Sequence, residues 1–250
     1  MNSSSNQLIF GIRPIIEAIK AGPDKFSIEK IFLHSSLNSE LLGELKKQIK
    51  ENDIPFQYVP IEKLNRITGK NHQGVIAFVS PISYQNIENI IPALYEQSVV
   101  PLILILDKIT DVRNFGAIVR TAECAGVNAI IIPSNGSAQI NEDAVKTSAG
   151  ALFRVPICRS DNLKRSIDFL KESGLQIIAC TEKADTNYYK KDFKIPVAII
   201  LGSEEGGISS EYLKLSDSRV KIPLQGEIES LNVSVACGII LFEAVKQREN

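Results

Sequence analysis

The chain has 250 residues, 44% of them hydrophobic, and a formal net charge of −1. That is enough apolar material for one large core or two modest ones, and too little basic charge to mark a nucleic-acid binder by charge alone. Cys124, Cys158, Cys180 and Cys237 lie far apart among apolar neighbours and form no C-x-x-C pair, which argues against a zinc site or a disulfide framework.

The opening Met1-Asn-Ser-Ser-Ser-Asn has neither a basic n-region nor a signal-type apolar run, and no segment has the length to span a bilayer. A soluble, cytoplasmic protein without membrane attachment is expected. Charge is slightly positive over the first 80 residues and slightly negative beyond them.

In chain order, the spacing predicts a short amphipathic helix over 14–20, a strand over 28–33, and a helix over 38–52 with Leu41, Leu42, Leu45 and Ile49 on one face. A strand over 56–59, a short helix over 61–67 and a strand over 74–80 follow, giving a compact β-α-β-α-β module in residues 1–80. Residues 81–100, with a helix near 87–95, read as a connector. From 101 to 250 the pattern shifts to longer buried strands alternating with helices. Leu102-Ile-Leu-Ile-Leu106 is continuously apolar, as a parallel strand covered on both faces should be. A helix over 117–125, strands over 129–132, 154–157, 176–180, 197–201 and 219–222, intervening helices after 141 and over 163–173, and a terminal helix over 233–247 complete an α/β domain built on a mostly parallel sheet.

Three loops at strand ends hold the unusual polar residues. In Asp107-Lys-Ile-Thr-Asp-Val-Arg-Asn-Phe-Gly116, Asn114 and Gly116 suit a helix start, which puts Arg120 one turn inside. The plainer alternative makes Asn114 a cap and Arg120 a surface ion-pair partner. Leu201-Gly-Ser-Glu-Glu-Gly-Gly-Ile208 offers close backbone approach at Gly202 and a carboxylate at Glu204, although such a stretch alone is more often a turn. It is not G-x-G-x-x-G, so a dinucleotide fingerprint is a weak reading. In Ile222-Pro-Leu-Gln-Gly-Glu-Ile-Glu-Ser-Leu-Asn-Val-Ser234, Pro223 ends a strand, and Ser230 and Asn232 stand before the last helix, where Ser230 could also serve as a cap. Both histidines, His34 and His72, lie in the first module, so a hydrolytic Ser-His-Asp triad is not available to Ser230.

Taken together, Asn114-Phe-Gly-Ala-Ile-Val-Arg120, Leu201-Gly-Ser-Glu204 with Gly207, and Ile222-Pro-Leu with Ser230-Leu-Asn-Val-Ser234 resemble the three motifs of the SpoU-type (TrmH-like) RNA 2′-O-ribose methyltransferases, in the same order and spacing. The likeness runs from Phe10-Gly-Ile-Arg-Pro and His72-Gln-Gly-Val to Leu241-Phe-Glu-Ala-Val-Lys-Gln-Arg248, and is greatest to the enzymes that modify guanosine in 23S ribosomal RNA. The resemblance implies a SPOUT-like catalytic domain with a C-terminal trefoil knot, preceded by a ribosomal-protein-like substrate-binding domain. It implies S-adenosylmethionine held by backbone groups at Gly202, Ile222 and Leu231, and catalytic positions at Asn114, Arg120, Glu204, Ser230 and Asn232. It also implies a homodimer acting on RNA rather than DNA, without a metal. In the family the Arg120 position is assigned as the base for the 2′-OH proton; a guanidinium rarely deprotonates, and holding a phosphate while stabilising alkoxide charge is an equally physical role. Glu204 and Asn114 are expected to orient Arg120. Where the family often has glycine after Glu204, this chain has Glu205, expected to face solvent.

In the first module Arg13, Lys46, Lys47, Lys50, Arg66, Lys70 and His72 are candidate RNA contacts, although Lys46, Lys47 and Lys50 equally suit a solvated helix face. A transfer-RNA or other ribosomal-RNA target, a non-catalytic RNA-binding or ribosome-assembly factor, and a nucleotide-dependent oxidoreductase are the competing readings.

Overall fold

The computed structural model describes residues 8–22, 27–37 and 40–249. The first six residues and the expected helix start at Asn38 lie outside the described residues. The chain forms two compact units, one reaching Ser83 and including Ile140–Glu142, the other comprising Tyr84–Gln139 and the chain from Asp143 on.

In the first unit the elements are β1 (Leu8–Phe10), α1 (Ile12–Lys20), β2 (Ile28–His34), α2 (Leu42–Glu51), β3 (Phe56–Val59), α3 (Ile61–Ile67) and β4 (Val75–Val79). The sheet order is β1-β4-β2-β3. It is mixed: β4 runs antiparallel to β1 and β2, whereas β3 joins β2 in parallel. Alternation along the strands divides the core in two. Ile31, Leu33, Val75 and Ala77 pack with α1 and α2, while Phe32, Ile76 and Phe78 pack with Leu64 of α3. The strand β1 adds an element that the three-strand expectation lacked, because three residues carry too little periodicity to register.

The second unit contains α4 (Ile87–Glu96), β5 (Leu102–Asp107), α5 (Val112–Cys124), β6 (Ala129–Pro133), α6 (Glu142–Thr147), β7 (Ile157–Ser160), α7 (Leu163–Glu172), β8 (Gln176–Cys180), β9 (Thr186–Asn187), β10 (Val197–Gly202), α8 (Ser210–Leu215), β11 (Ser218–Lys221) and α9 (Val233–Arg248). Seven parallel strands lie in the order β7-β6-β5-β10-β8-β11-β9. The apolar run of β5 sits near the middle, paired with β6 and β10 and buried at every residue. Its Ile103 and Ile105 join α4 and α7 in one core, while α5 and α9 contact each other and α9 reaches β10. The connector helix α4 thus contributes Ile87 and Ile91 to the core of the parallel sheet.

In the second unit two element starts differ from expectation by three residues or more. The strand near Arg154 begins only at Ile157, because Ala151–Phe153 forms a 3-10 turn first. The helix expected at Ala117 begins at Val112, five residues earlier, because Asp111 and not Asn114 supplies the N-cap. Asp111 Oδ1 accepts the Asn114 N–H at 2.7 Å, a better cap than Asn114 could make for a shorter helix. No helix among the described residues is long and apolar enough to cross a membrane.

Candidate active site

Parallel strands end together, so their following loops share one edge, and in open α/β sheets that edge binds ligands. Asp107, the last residue of β5, pairs in register with Gly202, the last residue of β10. The segments after β5, β8, β10 and β11 therefore emerge side by side.

The β10 loop is shaped by Gly202 itself. A Cβ there would lie 2.1 Å from the Gly207 carbonyl carbon and 2.2 Å from the Ile208 nitrogen, so no side chain fits. The loop folds back through the Gly207 N–H, which donates to the Ser203 carbonyl at 2.8 Å, with Gly207 in the left-handed region at φ +60°. Beneath it, buried Asp107 accepts the Ser209 N–H at 2.6 Å and ties the loop to the end of β5.

This loop carries Glu204 to the starts of two helices. Asn114, in the first turn of α5, donates through Nδ2 to Glu204 Oε1 at 3.2 Å. Asn232, the N-cap of α9, donates through Nδ2 to the same Oε1 and to Asn114 Oδ1 at 3.0 Å. The Val233 N–H also reaches Glu204 Oε1 at 3.4 Å. Meanwhile Asn232 Oδ1 accepts the Ser234 N–H at 3.0 Å, so one side chain caps the helix and anchors the carboxylate. A carboxylate at two helix N-termini is also favoured by their positive ends. Gly116 lets α5 approach its surroundings, since a Cβ there would fall 2.7 Å from Thr147 Cβ.

Three of the five expected catalytic residues, Asn114, Glu204 and Asn232, are thus in mutual hydrogen bonding. Ser230 is exposed and lines the adjoining cavity together with Glu204. Arg120 is exposed on α5 and makes no hydrogen bond or ion pair among the described residues. Glu204 and Asn114 both hydrogen-bond Asn232, and no hydrogen bond among the described residues joins either of them to Arg120. Glu205 is exposed and also on the cavity wall.

The cavity holds about 320 Å³, within the range of small-molecule sites. Gly202, Ile222 and Leu231, the expected cofactor positions, all line it. So does Glu229 of the loop before α9, and so do Thr181, Glu182 and Lys183 after β8, none of which three the sequence singled out. The strand order that seats β8 beside β10 is what brings them there; their position just past a buried strand was the only local sign. Cys180 lines it too, but burial, together with the Glu182 charge, pushes its thiol up to about 12, so it stays protonated at neutral pH.

Of the candidate RNA contacts in the first unit, His72 needs correction. Its ring is buried, with Nδ1 accepting the Gly74 N–H at 3.0 Å, so Nε2 carries the proton and donates to Asn65 Oδ1 at 2.9 Å. Both nitrogens are spent on shaping the loop and neither is free for a base.

Residues 101–242 match the SpoU rRNA Methylase family, and residues 8–85 match the RNA 2′-O ribose methyltransferase substrate binding family. The chain belongs to the SpoU methylase family. A SpoU relative, the 23S rRNA (guanosine-2′-O-)-methyltransferase RlmB of Vibrio parahaemolyticus, is 38% identical over 98% of each chain. The SpoU methyltransferase AviRb of Streptomyces viridochromogenes, solved with AdoMet, aligns with a TM-score of 0.61 at 25% identity, covering 97% of this chain and 90% of that one. The TrmH/SpoU tRNA modifying enzyme of A. aeolicus is 33% identical with a TM-score of 0.56, covering 65% of this chain and 84% of that one.

The SpoU cavity suits S-adenosylmethionine by its chemistry. Sulfonium and ammonium groups give that molecule a net positive charge, and the wall supplies Glu182, Glu204, Glu205 and Glu229 against the single cation Lys183. Apolar Leu201, Ile208, Ile222, Leu224 and Val233 supply surface for its adenine.

Proposed function

We propose that the protein methylates the ribose 2′-hydroxyl of a guanosine in 23S ribosomal RNA, in the cytoplasm and as a homodimer, with S-adenosylmethionine as donor. The observation that carries this reading is the Asn114–Glu204–Asn232 cluster beside a carboxylate-rimmed cavity. The 38% identity over nearly the full length to a 23S enzyme supports the RNA species.

Backbone groups at Gly202, Ile222 and Leu231 hold the cofactor, whose sulfonium supplies an activated methyl. The protein's task is then alignment and support of developing charge on the ribose oxygen. Asn114, Glu204 and Asn232 fix the loops to two helix starts, Ser230 meets the ribose at the cavity wall, and exposed Arg120 binds the neighbouring phosphate and the developing alkoxide. The absence of a carboxylate partner among the described residues leaves the guanidinium available for that role, and its permanent charge suits it to stabilise rather than to take a proton.

Residues 1–80 serve as the RNA-binding domain, 81–100 as the connection, and 101–250 as the knotted catalytic domain. Dimerisation is supported by α9. Val235 and Phe242, seven residues apart on α9, share one helical stripe and are both about half exposed, at 51% and 50%, which is costly for a lone subunit. A second copy covering this stripe would lie next to the Asn232 cap.

The test is transfer of labelled methyl to unmodified ribosomal RNA with analysis of the product nucleosides. The expected product is 2′-O-methylguanosine in 23S RNA. Label found only in transfer RNA would replace the substrate, and bound cofactor with no methyl transfer to any RNA would overturn the enzyme reading.

A further inference from the structure

The edge strand β3 of the first unit exposes three successive side chains, Phe56, Gln57 and Tyr58. Phe56 and Tyr58 are about half exposed, at 49% and 47%, although their register partners Ile31 and Leu33 are fully buried. The two rings therefore share the sheet face covered by α1 and α2 but lie beyond that cover. Neither belongs to the core cluster on that face. They contact each other edge to face, with centroids 5.7 Å apart and planes at 85°. Such a pair forms a corner and not a slot: a planar group lying flat on one ring meets the other ring at its edge.

The charge around the corner is also specific. Lys46 of α2 places Nζ 5.8 Å from the Tyr58 ring centre, and Lys50 lies one turn further on the same helix face. The two carboxylates of this helix are already engaged, Glu44 by Lys20 at 2.7 Å and Glu51 by Lys47 at 3.7 Å. Lys46 and Lys50 have no acidic partner among the described residues.

We infer that Phe56 and Tyr58 form a stacking corner for one unpaired nucleotide of the RNA substrate, with Lys46 and Lys50 binding its flanking phosphates; the substrate class rests on the function proposed above. Bases within a duplex cannot reach such rings, whereas splayed bases stack on them with little sequence preference. Lysines without acidic partners supply the salt-dependent part of the attraction.

The experiment uses the full-length protein and compares wild type with a Phe56→Leu/Tyr58→Leu pair, which keeps apolar bulk but removes the rings, and with a Phe56→Tyr/Tyr58→Phe exchange, which keeps both. Circular dichroism and melting confirm folding of each. For methyl transfer to ribosomal RNA, the leucine pair is expected to raise KM for RNA roughly tenfold or more with kcat little changed, and the exchange to restore it. Lys46→Ala with Lys50→Ala should lower the slope of log affinity against log salt by about two. An unchanged KM in the leucine pair overturns the inference and leaves the edge to a protein partner. Should wild type methylate no RNA, the functional reading fails by itself, and binding of a short unstructured RNA oligonucleotide still decides: loss in the leucine pair upholds the corner, and equal binding overturns it.

Discussion

Asn232 and Glu204, 28 residues apart in sequence, are joined because the side chain that caps α9 also donates to the β10-loop carboxylate. Loss of the Asn232 side chain therefore removes a cap, worth about 1 kcal/mol, and frees the loop that borders the cavity. Asn232→Ala should lower the melting temperature by a few degrees and methyl transfer by roughly a hundredfold, the scale of a 1 Å misplacement. Asn232→Ser, which keeps a capping oxygen but loses the Nδ2 donor without adding charge beside Glu204, should recover much of the melting temperature without the rate. Recovery of both would assign Asn232 to capping only.

Gly202→Ala should abolish cofactor binding. The added methyl would lie 2.1 Å from Gly207 backbone, so the loop must open or the strand end must shift, at a cost of about 1–3 kcal/mol or more. Calorimetric titration with S-adenosylhomocysteine against the wild type checks this, and wild-type affinity would mean that the loop takes no part in the cavity.

Arg120 is exposed and unpaired among the described residues, so its removal should spare stability. Arg120→Ala is expected to reduce methyl transfer by about a hundredfold or more, the scale of a lost charge-stabilising donor, with cofactor affinity unchanged. Arg120→Lys, which keeps the charge but not the fork, should recover part of the rate. If the alanine variant turned over normally, Arg120 would have no place in the chemistry.

Asp217 gives the fold an acid-sensitive joint. Burial pushes its carboxyl up, but the Ile177 N–H at 2.8 Å and the Lys171 ammonium at 2.7 Å outweigh burial and leave it lowered. A carboxyl lowered on folding stabilises above its unfolded value, about 4, and that contribution fades as pH falls through the folded value. Wild type should exceed Asp217→Asn in stability by about 1 kcal/mol at neutral pH and lose this advantage in acid. A melting difference that stayed constant with pH would show that the charge is not its source.

Burial pushes the thiols of Cys158 and Cys180 up to about 12, and that of Cys237 higher still, while Cys124 is exposed. Alkylation of the folded protein near pH 8 should leave Cys158, Cys180 and Cys237 intact, with all four modified in denaturant. Rapid labelling of Cys180, which already lines the cavity, would show that its thiol is not held protonated.

The buried strands were legible because each is a local apolar run. Leu102-Ile-Leu-Ile-Leu106 and Val197-Ala-Ile-Ile200 carry the signal of two covered faces within five or so residues. The site motifs were legible as residue types for the same reason, since a glycine or a capping asparagine answers to its own loop. The start of α5 was not, because Asp111 and Asn114 are both good caps and only the packed helix selects one. Nor was His72, whose ring could be assigned to the loop interior only once Asn65 stood opposite it. Strand order was likewise undetermined by sequence, because any buried parallel strand can neighbour any other. Tertiary structure alone decided that β10 lies between β5 and β8, bringing Glu204 to Asn114 and Asn232 and adding Thr181 and Glu182 to the cavity. Local interactions are fixed by adjacent residues, whereas contacts between distant segments form only when the whole sheet closes over its shared core.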